Sequence, residues 1–242
     1  MPPGQDVTGT AAACGARAGH SLTEAPLPTR AALATVGLVT VAGVVIGVVT
    51  RTGSAVMVML GGFADAPDYM ARGEMALVSR ALPAQPYHAA ADLGLAAAEE
   101  MIGQVERGAE EAAAAGLRGA AGGLREGAAV LGVAVVVKAV SVPASLADIM
   151  RSHAWMHAAE GMLYRDAVLG AARRCGWAAH AVEMSSLPDA EQSLGVIGRA
   201  AGRPWRRIEK DAARAAITLL TRKPPVTRGG VPRPGPGGAG RC

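Results

Sequence analysis

Aromatic residues are nearly missing from this chain: one Phe, three Tyr and three Trp among 242 residues. The hydrophobic half of the sequence is Ala-rich and β-branched, with 53 alanines. Such a core must pack by close approach of small side chains, and a stacking platform for single-stranded nucleic acid is disfavoured. Cysteine is equally sparse. Cys14, Cys175 and Cys242 are odd in number and far apart, so no disulfide framework and no CxxC or zinc-finger spacing exists. A reducing, cytoplasmic setting is expected, and Cys242, as the last residue, excludes prenylation. No G-x-G-x-x-G follows a strand, and no G-x-x-x-x-G-K-[ST] or G-x-S-x-G occurs. Nucleotide binding of the common types and ordinary serine hydrolysis are therefore disfavoured, and no small-molecule ligand is identifiable. The stretch Met1–Asp6 lacks a basic n-region and does not read as a signal peptide.

What is present begins with charge. The net charge of +4 hides an asymmetry: residues 203–242 carry ten Arg and Lys against Glu209 and Asp211, and residues 1–202 are net acidic. A basic end suits a polyanion, either nucleic acid or an anionic membrane surface. It also describes a solvated helix face followed by a tail.

Residues 1–30 read as a disordered leader, and residues 223–242, rich in Pro and Gly, as a flexible basic tail. Between them, residues 31–49 hold no charge and are flanked by Arg30 and Arg51. The length fits a transmembrane helix, and Gly43 and Gly47 supply a GxxxG face, which makes a membrane-anchored protein the alternative class. The same run is Val-rich and is followed by the turn Arg51–Ser54 and a second run, Ala55–Leu60, which fits a buried hairpin. Hydropathy does not separate the two readings; the need for partner strands elsewhere favours the hairpin.

Downstream, Glu74–Val78 reads as an edge strand and Leu82–His88 as an extended connector. Leu95–Leu124 reads as a helix, Val130–Val137 as a buried strand, and Ser145–Cys175 as one long or two short helices ended by Gly176. Ala179–Met184 reads as a strand, Leu187–Ala201 as a helical connector, and Pro204 as the opening of a helix to Leu220. The order β-β-β-α-β-α-β-α predicts a single three-layer α/β domain over residues 31–222, with helices on both faces of the sheet.

Two constellations carry candidate chemistry. His153, His157 and Glu160 recur at i, i+4 and i+7 on one helical line, with Tyr164 following. A divalent metal held by these three, with a fourth ligand such as His88, is one way to satisfy them; a hydrogen-bonded core network is the other. On the last helix, Arg203, Arg206, Arg207, Lys210 and Arg214 line the face opposite an apolar stripe that includes Trp205. These five are the candidate nucleic-acid contacts.

Ser152–Arg165, with Arg203-Pro204-Trp205 and Lys210-Asp211-Ala212-Ala213 downstream, resembles a set of uncharacterised bacterial proteins over about residues 70–222. Separately, the element order resembles the ribonuclease H-like fold, and Lys210–Ala216 is similar to the closing-helix motif of Holliday-junction resolvases. That resemblance implies a divalent-metal nuclease with an acidic residue on the closing helix. Asp211, Glu183 and Glu160 are then the carboxylates to consider. The family also places an Asp in its first strand, whereas Leu38–Val49 holds no acidic residue and the central strand runs into Lys138. That departure implies a degenerate active site, and with the basic end the expectation is a ribonuclease H-like module that binds nucleic acid weakly and does not cleave it.

Overall fold

The computed structural model describes residues 42–220. The leader 1–30, the first part of the hydrophobic run (31–41) and the basic tail 223–242 lie outside them, as do Cys14 and Cys242. The sheet begins with strands β1 (Ala42–Arg51), β2 (Ser54–Phe63) and β3 (Ala66–Ala76). Arg51 pairs with Ser54 across the two-residue turn Thr52-Gly53, and Gly53 takes φ +70°, as a tight hairpin turn of this kind favours. The chain then passes through the short helix α1 (Pro86–Ala89) into the long helix α2 (Leu95–Gly122). Strand β4 (Ala128–Val137) returns beside β1. Helices α3 (Leu146–Ile149) and α4 (His153–Arg174), strand β5 (Ala178–Glu183), and helices α5 (Glu191–Ala201) and α6 (Arg207–Ile217) complete the domain.

The strand order is β3-β2-β1-β4-β5. β2 runs antiparallel to both β1 and β3, while β1, β4 and β5 are parallel. The result is a mixed five-stranded α/β sheet.

Alternation along β1 divides the core. Val44, Ile46 and Val48 face α2 and α4 in the larger hydrophobic cluster. Val45 faces the other way, with Val58, Leu60, Leu194, Ile197 and the alanines of α6. The scarcity of aromatics is met by close layers: Ala109, Ala113 and Ala114 of α2 and Ala212, Ala213 and Ala216 of α6 are fully buried. Gly116 belongs to this scheme, because a Cβ there would stand 2.9 Å from the Cβ of Met75.

The transmembrane reading is corrected here. Residues 42–51 form the interior strand β1, hydrogen-bonded to β2 on one side and β4 on the other. Among the described residues no helix is long and apolar enough to cross a membrane. The edge strand is longer than Glu74–Val78 and lies earlier. Pro67, Gly73 and a largely half-exposed pattern hide its period. The segment 145–175 is two helices, because Ser145 and Ser152 each accept a backbone N–H as an N-cap. α4 ends as expected at Gly176, whose N–H reaches the Arg173 carbonyl while that of Trp177 reaches Ala172. The last helix starts at Arg207 and not at Pro204, because the Glu209 carboxylate accepts the Arg206 backbone N–H at 3.0 Å and fixes the cap there.

Candidate functional site

Three of the chain's five histidines meet at one place. Ser152 caps α4, so His153 opens the helix, and His157 and Glu160 follow on the same line. His88 arrives from α1, whose Pro86 stands in the first helical turn. The three imidazole centroids lie 4.4 to 4.9 Å apart. One ligand atom from each of His88, His153 and His157 lies within 4.8 Å of the others. Glu160 sits beneath them, 2% exposed. Its Oε1 accepts from His88 Nδ1 at 2.8 Å, and its Oε2 stands 3.4 Å from His157 Nδ1. Both Glu160 Oε2 and His88 Nε2 are buried without a hydrogen-bond partner among the described residues.

The expected ligand set is thereby rearranged. The histidines, His88 included, form the metal-spaced group, and Glu160 is the carboxylate that holds His88. Tyr164, next on the α4 line, donates its hydroxyl to the Ala84 carbonyl at 2.6 Å, which anchors the connector leading to His88. Burial, and then the Glu160 charge, push the Tyr164 phenol up to about 12. Burial likewise raises Tyr87, with Glu106 and Glu160 adding to it.

A second feature is the cleft at the carboxyl ends of β1 and β4, where open α/β sheets bind ligands. It measures about 420 Å³ and is lined by Val49, Thr50, Val136, Lys138, His157 and Arg165, among others. Among the described residues no carboxylate lines it. The three candidate catalytic carboxylates are not brought together. Glu160 belongs to the histidine cluster. Glu183 ends β5, exposed, and accepts from the Ser185 hydroxyl. Asp211 is 7% exposed and is held between Arg214 Nη1 at 3.1 Å and Arg207 Nε at 3.6 Å. An Mg²⁺ site requires several oxygen ligands on one cleft, and these residues do not fit one.

The third feature is a groove of about 900 Å³ between α5 and α6, lined by Arg199, Arg203, Trp205, Lys210 and Glu191. Its floor is close-packed: a Cβ on Gly198 would stand 2.7 Å from the Trp205 ring. The Trp205 indole N–H is buried without an acceptor among the described residues. From β3, Arg72 gathers the carbonyls of Gly202, Arg203 and Pro204 and so fixes the loop that carries Arg203.

Of the five predicted nucleic-acid contacts, Arg203 and Lys210 share this groove. Arg206 is folded back on Glu209 through Nε and Nη2, at 3.1 and 2.7 Å. Burial raises the Glu209 carboxyl, but the hydrogen bonds from Arg206 and the backbone outweigh it and hold the group below its usual range. Arg214 bridges Asp211 and Glu191. Arg207 extends into solvent beside Asp211. Arg199 was missed because α5 reads from sequence as a connector, with no face assigned to it.

No family model matches the chain, and no curated protein sequence matches it. Among solved structures it is similar to Thermus thermophilus RuvC in complex with a Holliday junction substrate. The identity is 15% and the TM-score 0.43, over 72% of this chain and 91% of that one. It is also similar to a second T. thermophilus RuvC structure, at 17% identity and a TM-score of 0.40, over 72% and 92% of the two chains. The chain's own strand order, with helices covering both faces of the sheet, makes it a three-layer α/β domain.

Proposed function

We propose that this protein is a non-cleaving ribonuclease H-like module that holds nucleic acid through phosphate contacts in the α5–α6 groove. The observation that carries the reading is the groove itself. Arg199, Arg203 and Lys210 line it together, and the one carboxylate that lines it among the described residues, Glu191, is engaged by Arg214. Cations on a walled surface attract a phosphate backbone without reading sequence. The module does not cleave, because the carboxyl ends of β1 and β4 present Thr50 and Lys138 where a metal nuclease needs carboxylates. A cytoplasmic setting accords with such a partner.

The test is electrophoretic retardation of duplex and single-stranded DNA by the full chain, with and without Mg²⁺. Retardation is expected at low salt and should fall steeply between about 50 and 200 mM, with the DNA intact. Joint replacement of Arg199, Arg203 and Lys210 by Ala should remove it. Absence of retardation at micromolar protein overturns the binding reading. Mg²⁺-dependent cleavage overturns the non-catalytic part.

A further inference from the structure

We propose that His88, His153 and His157 form a binding site for a zinc-class divalent ion, with Glu160 as the carboxylate that orients His88. The site lies apart from the α5–α6 groove and does not depend on nucleic-acid binding.

The argument starts from His88. A carboxylate only accepts, so the 2.8 Å contact to Glu160 Oε1 places the proton of a neutral His88 on Nδ1. Nε2 is then a bare lone pair, and it is buried with no donor to meet it. A hydrogen-bonded core network would supply that donor. None exists among the described residues, and no hydrogen bond joins one imidazole to another there. Instead two more imidazoles converge on His88, from the first two turns of α4. An imidazole whose far nitrogen is held by a carboxylate is the usual arrangement of a metal-binding histidine.

The second observation is Glu160. It is 2% exposed, and its Oε2 lacks a hydrogen-bond partner although His157 Nδ1 stands 3.4 Å away. A buried carboxylate half used by one histidine and facing a second is costly unless positive charge stands near. An ion held by three imidazoles supplies it.

Geometry and chemistry select the ion. Tetrahedral Zn–N bonds of about 2.0–2.1 Å put ligand nitrogens roughly 3.4 Å apart. The nitrogens here lie within 4.8 Å of one another. His153 and His157 are exposed at the start of α4, so rotation about their side-chain bonds can close the difference. Imidazole favours zinc, cobalt, nickel or copper over Mg²⁺. Three ligands leave a coordination position open. His157 also lines the cleft at the ends of β1 and β4, which places that cleft beside the ion.

The test uses tag-free full-length protein stripped with a chelator, then titrated with Co²⁺ and, in competition with a chromophoric chelator, with Zn²⁺. One ion per chain is expected, with visible Co²⁺ bands of a nitrogen-rich site. His153→Ala and His157→Ala, both at exposed positions, should each weaken Zn²⁺ binding by about 100-fold or more while circular dichroism stays unchanged. Glu160→Gln should weaken it by about 10–100-fold. Zn²⁺ should raise the Tm of the wild type and leave that of His153→Ala unmoved. Failure to bind one equivalent, or wild-type affinity in both histidine variants, overturns the assignment. The DNA-retardation result bears on neither outcome.

Discussion

Gly47 of β1 and Ala212 of α6 approach so closely that a Cβ on the glycine would collide with the Ala212 carbonyl oxygen. The obstacle is backbone, so no rotamer change relieves it. Gly47→Ala should therefore destabilise the domain by about 3 kcal/mol, the upper end of the usual overpacking range, read as a shift in the urea midpoint. Adding Ala212→Gly should not rescue it, because the clashing carbonyl remains. The same contact bars an aspartate from this position of the first strand.

Tyr164 couples the histidine cluster to the connector before α1. Tyr164→Phe leaves the Ala84 carbonyl without its partner and should cost about 1–1.5 kcal/mol. The phenol is raised from 10.0 to about 12 in the folded chain, so the folded state holds this proton more tightly than the unfolded one. That contribution is complete below pH 10 and is lost as pH rises through 12. Urea denaturation across this range should show a smaller alkaline loss in Tyr164→Phe than in the wild type. A residue of alkaline loss is expected from Tyr87, which is also raised.

Acid should act at the cap of α6. Glu209 is held below its ordinary 4.5, so its contribution is present above that value and is lost as pH falls through the lower folded value. Glu209→Gln should cost about 1–2 kcal/mol near neutrality, and the difference from the wild type should shrink on acidification. The comparison must be made by difference. Burial raises Glu106 even though Arg107 opposes it, and a raised carboxyl favours the folded state as pH falls.

Asp211 separates the two readings of the last helix. As a metal ligand it would be needed for cleavage. As a counter-ion to Arg207 and Arg214 it restrains the basic face. Asp211→Asn should then tighten DNA retardation several-fold at about 50 mM salt, with the gain narrowing at about 200 mM. Weaker retardation would contradict the counter-ion role of Asp211.

Strand-helix alternation after residue 128, the Arg51–Ser54 turn and the Gly176 stop were legible because each has a local cause: apolar runs, a positive-φ glycine, a helix cap. The α4 histidine line was legible for the same reason, since period and spacing are local. His88 came forward only as one example of a fourth ligand, because its place beside Glu160 is made by the packing of α1 on α4 and not by spacing. The groove was half legible. Arg203 and Lys210 stand out by charge, but the cap that removes Arg206 from the face depends on where Glu209 turns back. The long β3 was missed because an edge strand with half-exposed residues on both faces leaves little alternation to read.

Arg72 carries a consequence for the groove. A guanidinium offers five donors in a rigid fork and can gather several carbonyls at once, whereas a lysine offers a single point charge. The carbonyls it holds belong to residues 202–204, some 130 positions away. The wall that presents Arg203 is therefore shaped by the sheet's edge strand and not by its own loop. Transplanting α5 and α6 onto another scaffold would carry the basic residues across and leave their arrangement behind.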